Sequence, residues 1–409
     1  MSNYKPITNF IGTDGVDLGK KLITKDYLLD VYPSLVQQLG ITPELWSWGF
    51  NDNGQLGNAT TVNVSTPVTT ISGGTNWKQV GLGYRFCAGI KTDGTLWTWG
   101  YGGSGTLGNA TTVTVSTPVT TFLGGTNWKQ VDCNHFFAAA IKTDGTLWTW
   151  GNGSNGQLGN ASTVNKSTPV TTFLGGTNWK QLTTSNGRNT AAIKTDGTLW
   201  IWGNGSSGKL GNAKTVNVST PVTTFLGGTN WKTVALGRDF CTAIKTDGTL
   251  WTWGSNGTTS LGNASTVDTS TPVTTFLGGT NWKQVDAGYV STVAAIKTDG
   301  TLWIWGSNNN VGLLGINISG IIFTSTPVTT FSGGTNWKQV SIGRDHAAAI
   351  KTDGTLWTWG YGGSGTLGNN ASGNALTPIT TFAGGTNWKQ VCAGTGGKST
   401  AAIQSSDFI

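Results

Sequence analysis

Few side chains in this sequence could do chemistry, and they do not converge. Its two histidines are His135 and His346, and its four cysteines are Cys87, Cys133, Cys241 and Cys392. A metal centre needs such ligands gathered at set spacings, and neither CxxC nor HExxH occurs. No metal, disulfide framework or cofactor is expected. The carboxylates are equally dispersed. Asp93, Asp144, Asp196, Asp247, Asp299 and Asp353 each sit in a TDG triplet, so their repetition points to turn formation rather than acid–base work. No GxSxG elbow or Walker loop is present. The Gly-rich YGGSGTLG strings at Tyr101 and Tyr361 do not open a helix, as a phosphate loop does. NAT and NAS triplets, as at Asn58 and Asn109, match glycosylation sequons only formally, because no secretory signal precedes them. The chain is expected not to be an enzyme.

The elements behind these residues are repeats. LWxWG recurs from Trp46/Trp48 to Trp357/Trp359, and GGTNWK from Trp77 to Trp388; together they account for all 21 tryptophans. Each repeat reads as four short strands: WKQV, AIK, LWTWG and TPVTTF. TDG between IK and LW is a tight-turn signal. LWTWG is bulky on both faces, as in a blade packed between neighbours. The proline in TPVTT suits an outer edge, where no ladder N–H is missed. The first repeat opens at Pro43-Glu44-Leu45-Trp46 without AAIKTDG, and the last stops at Ala401-Ala402-Ile403-Gln404 without LWxW. Each end lacks what the other holds, so a C-terminal strand is expected to pair beside the N-terminal one in a shared blade, which removes free edges. The fold class expected is all-β: a seven-bladed β-propeller over residues 42–409, with a short, partly helical segment at 1–41.

Leu45–Asn58 (LWSWGFNDNGQLGN) and Leu147–Asn160 (LWTWGNGSNGQLGN) resemble the RCC1 repeat, and Gly343–Ile350 fits that family's G-x-x-H-(S/A)-x-A-(L/I) stretch. The resemblance covers roughly 42–403. It implies the propeller fold and leaves function open, since one fold hosts many roles. The family histidine stands only at His346; the other repeats carry Phe86, Phe137, Asn189, Phe240, Thr292 and Ser399 there.

Comparing the copies within the chain locates a candidate surface. The distance from the LW tryptophan to the proline is constant except in the sixth copy, Trp303 to Pro327, which is three residues longer. The distance from the GTNW tryptophan to the following isoleucine also varies, as from Trp77 to Ile90 and from Trp388 to Ile403. The other two spacings are fixed. In an up-and-down blade the two variable connectors share one face and the fixed TDG and GGTN connectors share the opposite one. All four arginines, both histidines and all four cysteines are assigned to the first variable connector. Arg and aromatic side chains on loops over a rigid scaffold suit recognition. The binding candidates are Tyr84, Arg85, Tyr101, His135, Arg188, Arg238, Asp239, Arg344, His346 and Tyr361. Phe86, Phe137, Phe240, Cys87 and Cys241 are expected to be packing residues.

Composition agrees with many short strands: 63 glycines and only 11% charged residues. The net charge of +7 lies mainly in the recurring IKTDG and GTNWK lysines, without a basic run. It reads first as a solvated surface, with a polyanion-binding ring as the sharper alternative. No apolar run approaches the ~18 residues of a membrane-spanning helix, so membrane insertion is not expected.

Residues 1–41 do not match the repeat. Thr24 is placed to cap a helix whose apolar stripe would hold Tyr27, Leu28, Val31, Leu35 and Leu39, interrupted at Pro33. About 40 residues cannot bury a core of their own, so the stripe, through Tyr27, Leu28, Val31 and Leu35, is expected to anchor the segment on the propeller or on a partner. Thr13–Pro33 resembles short N-terminal segments of virion-associated proteins of tailed phages. That resemblance implies a tail-fibre or surface-decoration protein of the virion. Its partners would be other virion proteins through residues 1–41 and a host-surface receptor, protein or glycan, through the variable face. The alternative is an intracellular RCC1-like interaction hub binding protein or nucleic acid. The net charge is its main support, although nucleic acid is not the expected partner.

Overall fold

The structure, a computed structural model, describes residues 43–71, 76–289 and 291–405. Strands of five to seven residues pair into seven four-stranded antiparallel sheets. Blade two is representative, with strands Trp128–Asn134, Phe137–Lys142, Leu147–Gly151 and Lys166–Thr171 running from the axis outward. Its second strand, FAAAIK, is buried on both faces up to the final lysine. Small residues are required there because Trp128 and Trp148 on the flanking strands close over them, ring edge to ring face with centroids 6.5 Å apart. Lys142 lies over both rings, its Nζ at 4.7 and 5.0 Å from the centroids. The IKTDG lysines are therefore half-buried cation–π partners. The outer strand carries Pro169 on an edge, beside a bulge between Lys166 and Val170.

Blades are tied to one another by two rings of hydrogen bonds. In the first, the second tryptophan of each LWxWG donates from Nε1 to a backbone carbonyl of the preceding blade: Trp150 to Thr106 O at 2.9 Å, and Trp48 to Thr366 O at 3.0 Å across the chain ends. The second is an incomplete ring, in which glutamines of the inner strands bond the next blade's backbone, except that Gln181 donates to Thr233 Oγ1 and Thr233 itself stands where blade four would carry a glutamine. Gln130 Nε2 donates to Leu182 O at 2.8 Å, and Leu182 N donates back to Gln130 Oε1 at 3.1 Å. Gln390 makes the same pair with Val80 at 3.2 and 3.1 Å.

The ring closes as the complementary ends require. Ser399–Gln404 pairs with Glu44–Gly49 on one side and with Trp388–Ala393 on the other, giving a blade shared by both ends. The third-to-outer connectors differ from simple face loops. They fold back along the blade, so that Leu107 is fully buried and its carbonyl accepts from Thr98 Oγ1 at 2.7 Å. Asp93 serves its turn as expected, accepting from Thr95 N at 2.9 Å and from Thr95 Oγ1 at 2.7 Å. Residues 1–41, with the expected anchor residues Tyr27, Leu28, Val31 and Leu35, lie outside the described residues.

Candidate functional site

The inner-to-second hairpins carry most of the candidate residues to one face, where they gather into two groups. The first spans blades one to three. Tyr84 stacks on His135, centroids 5.9 Å apart and planes 19° from parallel, and meets Phe136 edge-on at 5.6 Å. Tyr101, from a third-to-outer connector, reaches Phe136 at 5.2 Å, and the Arg85 guanidinium lies 4.9 Å from the Tyr84 ring. His135 and Arg188 hold left-handed backbone, φ 38° and 64°, which turns their side chains out of the strand path. Burial, then the nearby Arg188 charge, lowers the His135 pKa to about 4, so its ring is a neutral aromatic at physiological pH. Arg188 is exposed and donates to Asn155 Oδ1 at 3.0 Å.

The second group joins blades four to six around a residue that sequence reasoning missed. Tyr289 lies between two guanidinium groups, Arg238 at 5.0 Å and Arg344 at 5.4 Å. Asp239 pairs with Arg238 and with the buried Lys209, whose Nζ is 3.3 Å away and also donates to Gly187 O and Arg238 O at 3.3 and 3.2 Å. Burial lowers the Lys209 pKa, and the Asp239 charge opposes that shift. Lys209 was detectable in the sequence: it is the charged residue at a repeat position held elsewhere by residues such as Gln55, Thr106 and Gln157. Arg344 also faces Asp345 at 3.4 Å, and Asn309 of the long connector donates to the Asp345 carboxyl. Tyr361 stands apart, with the Lys398 ammonium 4.0 Å from its ring centroid.

Other placements correct the sequence reading. His346 is fully buried, its Nε2 2.9 Å from Thr400 Oγ1, and burial lowers its pKa to about 3. It begins the second strand, where side chains point between blades, so it packs the interior instead of joining the face. The four cysteines lie in strands rather than connectors, because the hairpins are tighter than their sequences suggested. Phe86, Phe137 and Phe240 fill the core as expected.

The axis holds a further pair that the sequence did not single out. Asp132 and Asp286 line a cavity of about 70 Å³ together with Thr183, Ser341 and Cys392. Asp132 Oδ2 accepts from Thr184 N at 2.7 Å and Asp286 Oδ2 from Ile342 N at 2.7 Å, so each carboxyl ties its blade to the next. Half-buried in a channel walled by protein, they have little bulk water, and this raises their pKa values to about 6 and about 7. Asn186 Nδ2 donates to Thr395 O at 3.0 Å, joining blades three and seven, which are not neighbours; the bond therefore crosses the axis on the variable side.

Among the described residues no cluster of three or more His, Cys, Asp or Glu could hold a metal ion. What the variable face offers is recognition chemistry: stacked aromatics and guanidinium groups, with the Asp239 and Asp345 carboxylates already engaged by cations.

Comparisons with known proteins place this geometry in context. The regulator of chromosome condensation (RCC1) repeat matches residues 44–90, 93–141, 144–190, 196–244, 247–295, 299–350 and 353–402. The chain is 29% identical over 331 residues to the ultraviolet-B receptor UVR8 of Arabidopsis thaliana, covering 79% of this chain and 74% of that protein. It is 27% identical over 320 residues to the E3 ubiquitin-protein ligase HERC2 of Mus musculus, covering 76% of this chain but 6% of that protein. A solved structure of yeast RCC1 (Prp20) bound to Kap60 superposes with a TM-score of 0.76 at 18% identity, covering 90% of each chain. These relatives come from a plant, a mammal and yeast, and they overturn the virion reading. That reading rested on Thr13–Pro33, a short stretch outside the described residues, whereas the likeness to known proteins runs through the repeats.

Proposed function

The chain belongs to the RCC1 repeat family, and from that premise we propose that it is an interaction scaffold that holds a protein partner against the variable face of its propeller. The observation that carries this is the pair of aromatic–guanidinium groups, Tyr84/Arg85/His135/Phe136 and Arg238/Tyr289/Arg344, on connectors of a scaffold that is otherwise repeated. Aromatic and Arg side chains dominate the energetics of protein interfaces because they bury large areas in well-packed, desolvated pockets. The structure of the yeast relative with Kap60 agrees with a propeller of this family acting by binding a protein. The scaffold acts by binding rather than catalysis, and an intracellular site of action is part of this reading. So is the division into a segment 1–41 and a propeller 42–409; the repeat matches begin at residue 44.

A photo-crosslinking residue placed at Arg188 or Arg238 should capture one protein partner in cells. The same residue at Asp144, on the opposite face, should not. R238A/R344A should weaken the captured complex by more than about tenfold, as loss of an interface anchor does. Capture from Asp144 as strong as from Arg238, or none from either variable position, rejects the assignment.

A further inference from the structure

The face opposite the variable connectors is the more regular one, and each blade gives it the same two groups. Every connector from an outer strand to the next inner strand begins with a large apolar side chain and ends with a lysine. The apolar positions are Ile71 and the six phenylalanines from Phe122 to Phe382, each 62–72% exposed. Leu123, Leu174, Leu226 and Leu277 extend the apolar rim over four neighbouring blades at 38–41% exposure. Six of the seven copies expose a phenylalanine ring here, and large exposed apolar area marks an interaction surface. The connector lysines, Lys78 to Lys389, sit nearer the axis. Lys78, Lys129 and Lys389 line an axial mouth of about 410 Å³ with Gln79, Gln130, Gln390 and Ile403, and no carboxylate lines it. Those glutamines are already committed to the neighbouring blades' backbones.

Charge is concentrated here as well. Seven GTNWK lysines and six IKTDG lysines face six TDG aspartates and Glu44, so 13 − 7 gives +6 of the chain's total of +7. Two such faces repel, which argues against a second copy of this chain. A folded partner offers one surface patch, not the same contact at seven points around a ring. A bilayer is laterally uniform, so every blade can engage it at once and weak contacts sum. Aromatic and leucine side chains enter the boundary between headgroups and acyl chains, and lysines favour anionic headgroups.

We propose that the fixed-connector face docks peripherally on an anionic lipid bilayer, with the Phe/Leu rim entering the interface and the lysine ring lying over the headgroups. The variable face is then left pointing away from the membrane. Among the described residues no helix is long and apolar enough to cross a membrane, so the contact is one of surface, not span.

The test is co-sedimentation of the full chain with vesicles of phosphatidylcholine alone or with added phosphatidylserine. Native protein should bind the phosphatidylserine vesicles and release as salt rises. F122S/F173S/F225S/F276S should keep the native melting temperature and lose more than about tenfold in vesicle affinity. K129Q/K180Q/K232Q/K283Q should lose the preference for phosphatidylserine. No binding by native protein, or unchanged binding by the Phe variant, overturns the proposal. Vesicle-free dimerisation in sedimentation velocity that the Phe variant abolishes, without vesicle binding, also overturns it and makes the face a self-contact. Crosslinking from Arg238 should be the same in both variants, so this proposal and the variable-face reading fail separately.

Discussion

Asp132 and Asp286 stand at the same place in their repeats, where the other copies have Gly81, Thr183, Ala235, Ser341 and Cys392. Each accepts a backbone N–H from the next blade, yet each faces a confined channel in which the neutral form is favoured. The folded pKa values of about 6 and about 7 lie above the ordinary value of about 3.9 expected when unfolded. Between those limits the folded state binds more protons than the unfolded one, so stability must fall as pH rises. The stabilisation is complete below about pH 4 and is lost as pH passes through 6 to 7. Asn at position 286 still offers an oxygen to Ile342 N but never ionises. D286N should therefore exceed the native melting temperature at pH 8 by about 1–3 °C and match it only near or below about pH 4. Parallel melting curves across that range would place the carboxyl in open water. In the sequence these two residues looked like ordinary variation in an inner strand, because nothing local indicates that side chains from blades two and five meet at an axis.

At the scale of the element, the GQLG segment is a wedge between blades. Gly159 has φ +66°, and a Cβ there would lie 2.5 Å from Trp202 Nε1, which donates to Gln157 O at 2.9 Å. Gly175, in an outer-to-inner connector, has φ +58° but nothing within 4 Å of such a Cβ. G159A should cost about 2–4 kcal/mol, combining left-handed strain with overpacking against the indole. G175A should cost about 1 kcal/mol from strain alone. Equal losses in chemical denaturation would mean that the indole moves aside freely. Strand identity, the TDG turn and the edge placement of the proline were all legible in the repeat, because each follows from local backbone chemistry. The inward fold of the third-to-outer connector was not, since Leu107 and its equivalents read as loop residues until a neighbouring blade covers them.

For the whole molecule, closure rests on Ser399–Gln404, which pairs with strands from both ends of the propeller. Ending the chain before Ser399 leaves Glu44–Gly49 and Trp388–Ala393 with open edges and removes the buried Ala402 and Ile403. The truncated chain should lose its single cooperative melting transition, or melt more than about 10 °C lower, and should aggregate through the exposed edges. An unchanged melting temperature in calorimetry would show that the six complete blades hold the ring without the clasp.

The sequence by itself determined the number of blades, the order of strands within each, the shared blade and the split between a variable and a fixed face. All of these are periodic, and periodicity is visible along a chain. Comparing copies also picked out most of the side chains that gather on the variable face, from Tyr84 to Tyr361, although His346 turns inward. Only the tertiary structure decided which of them meet. Tyr289 between Arg238 and Arg344, Lys209 beneath Asp239, and the inward turn of His346 depend on side chains from adjacent blades about one repeat apart in sequence. Local patterning fixes which face of a strand a residue occupies. What lies against that face is set by how the blades close into a ring.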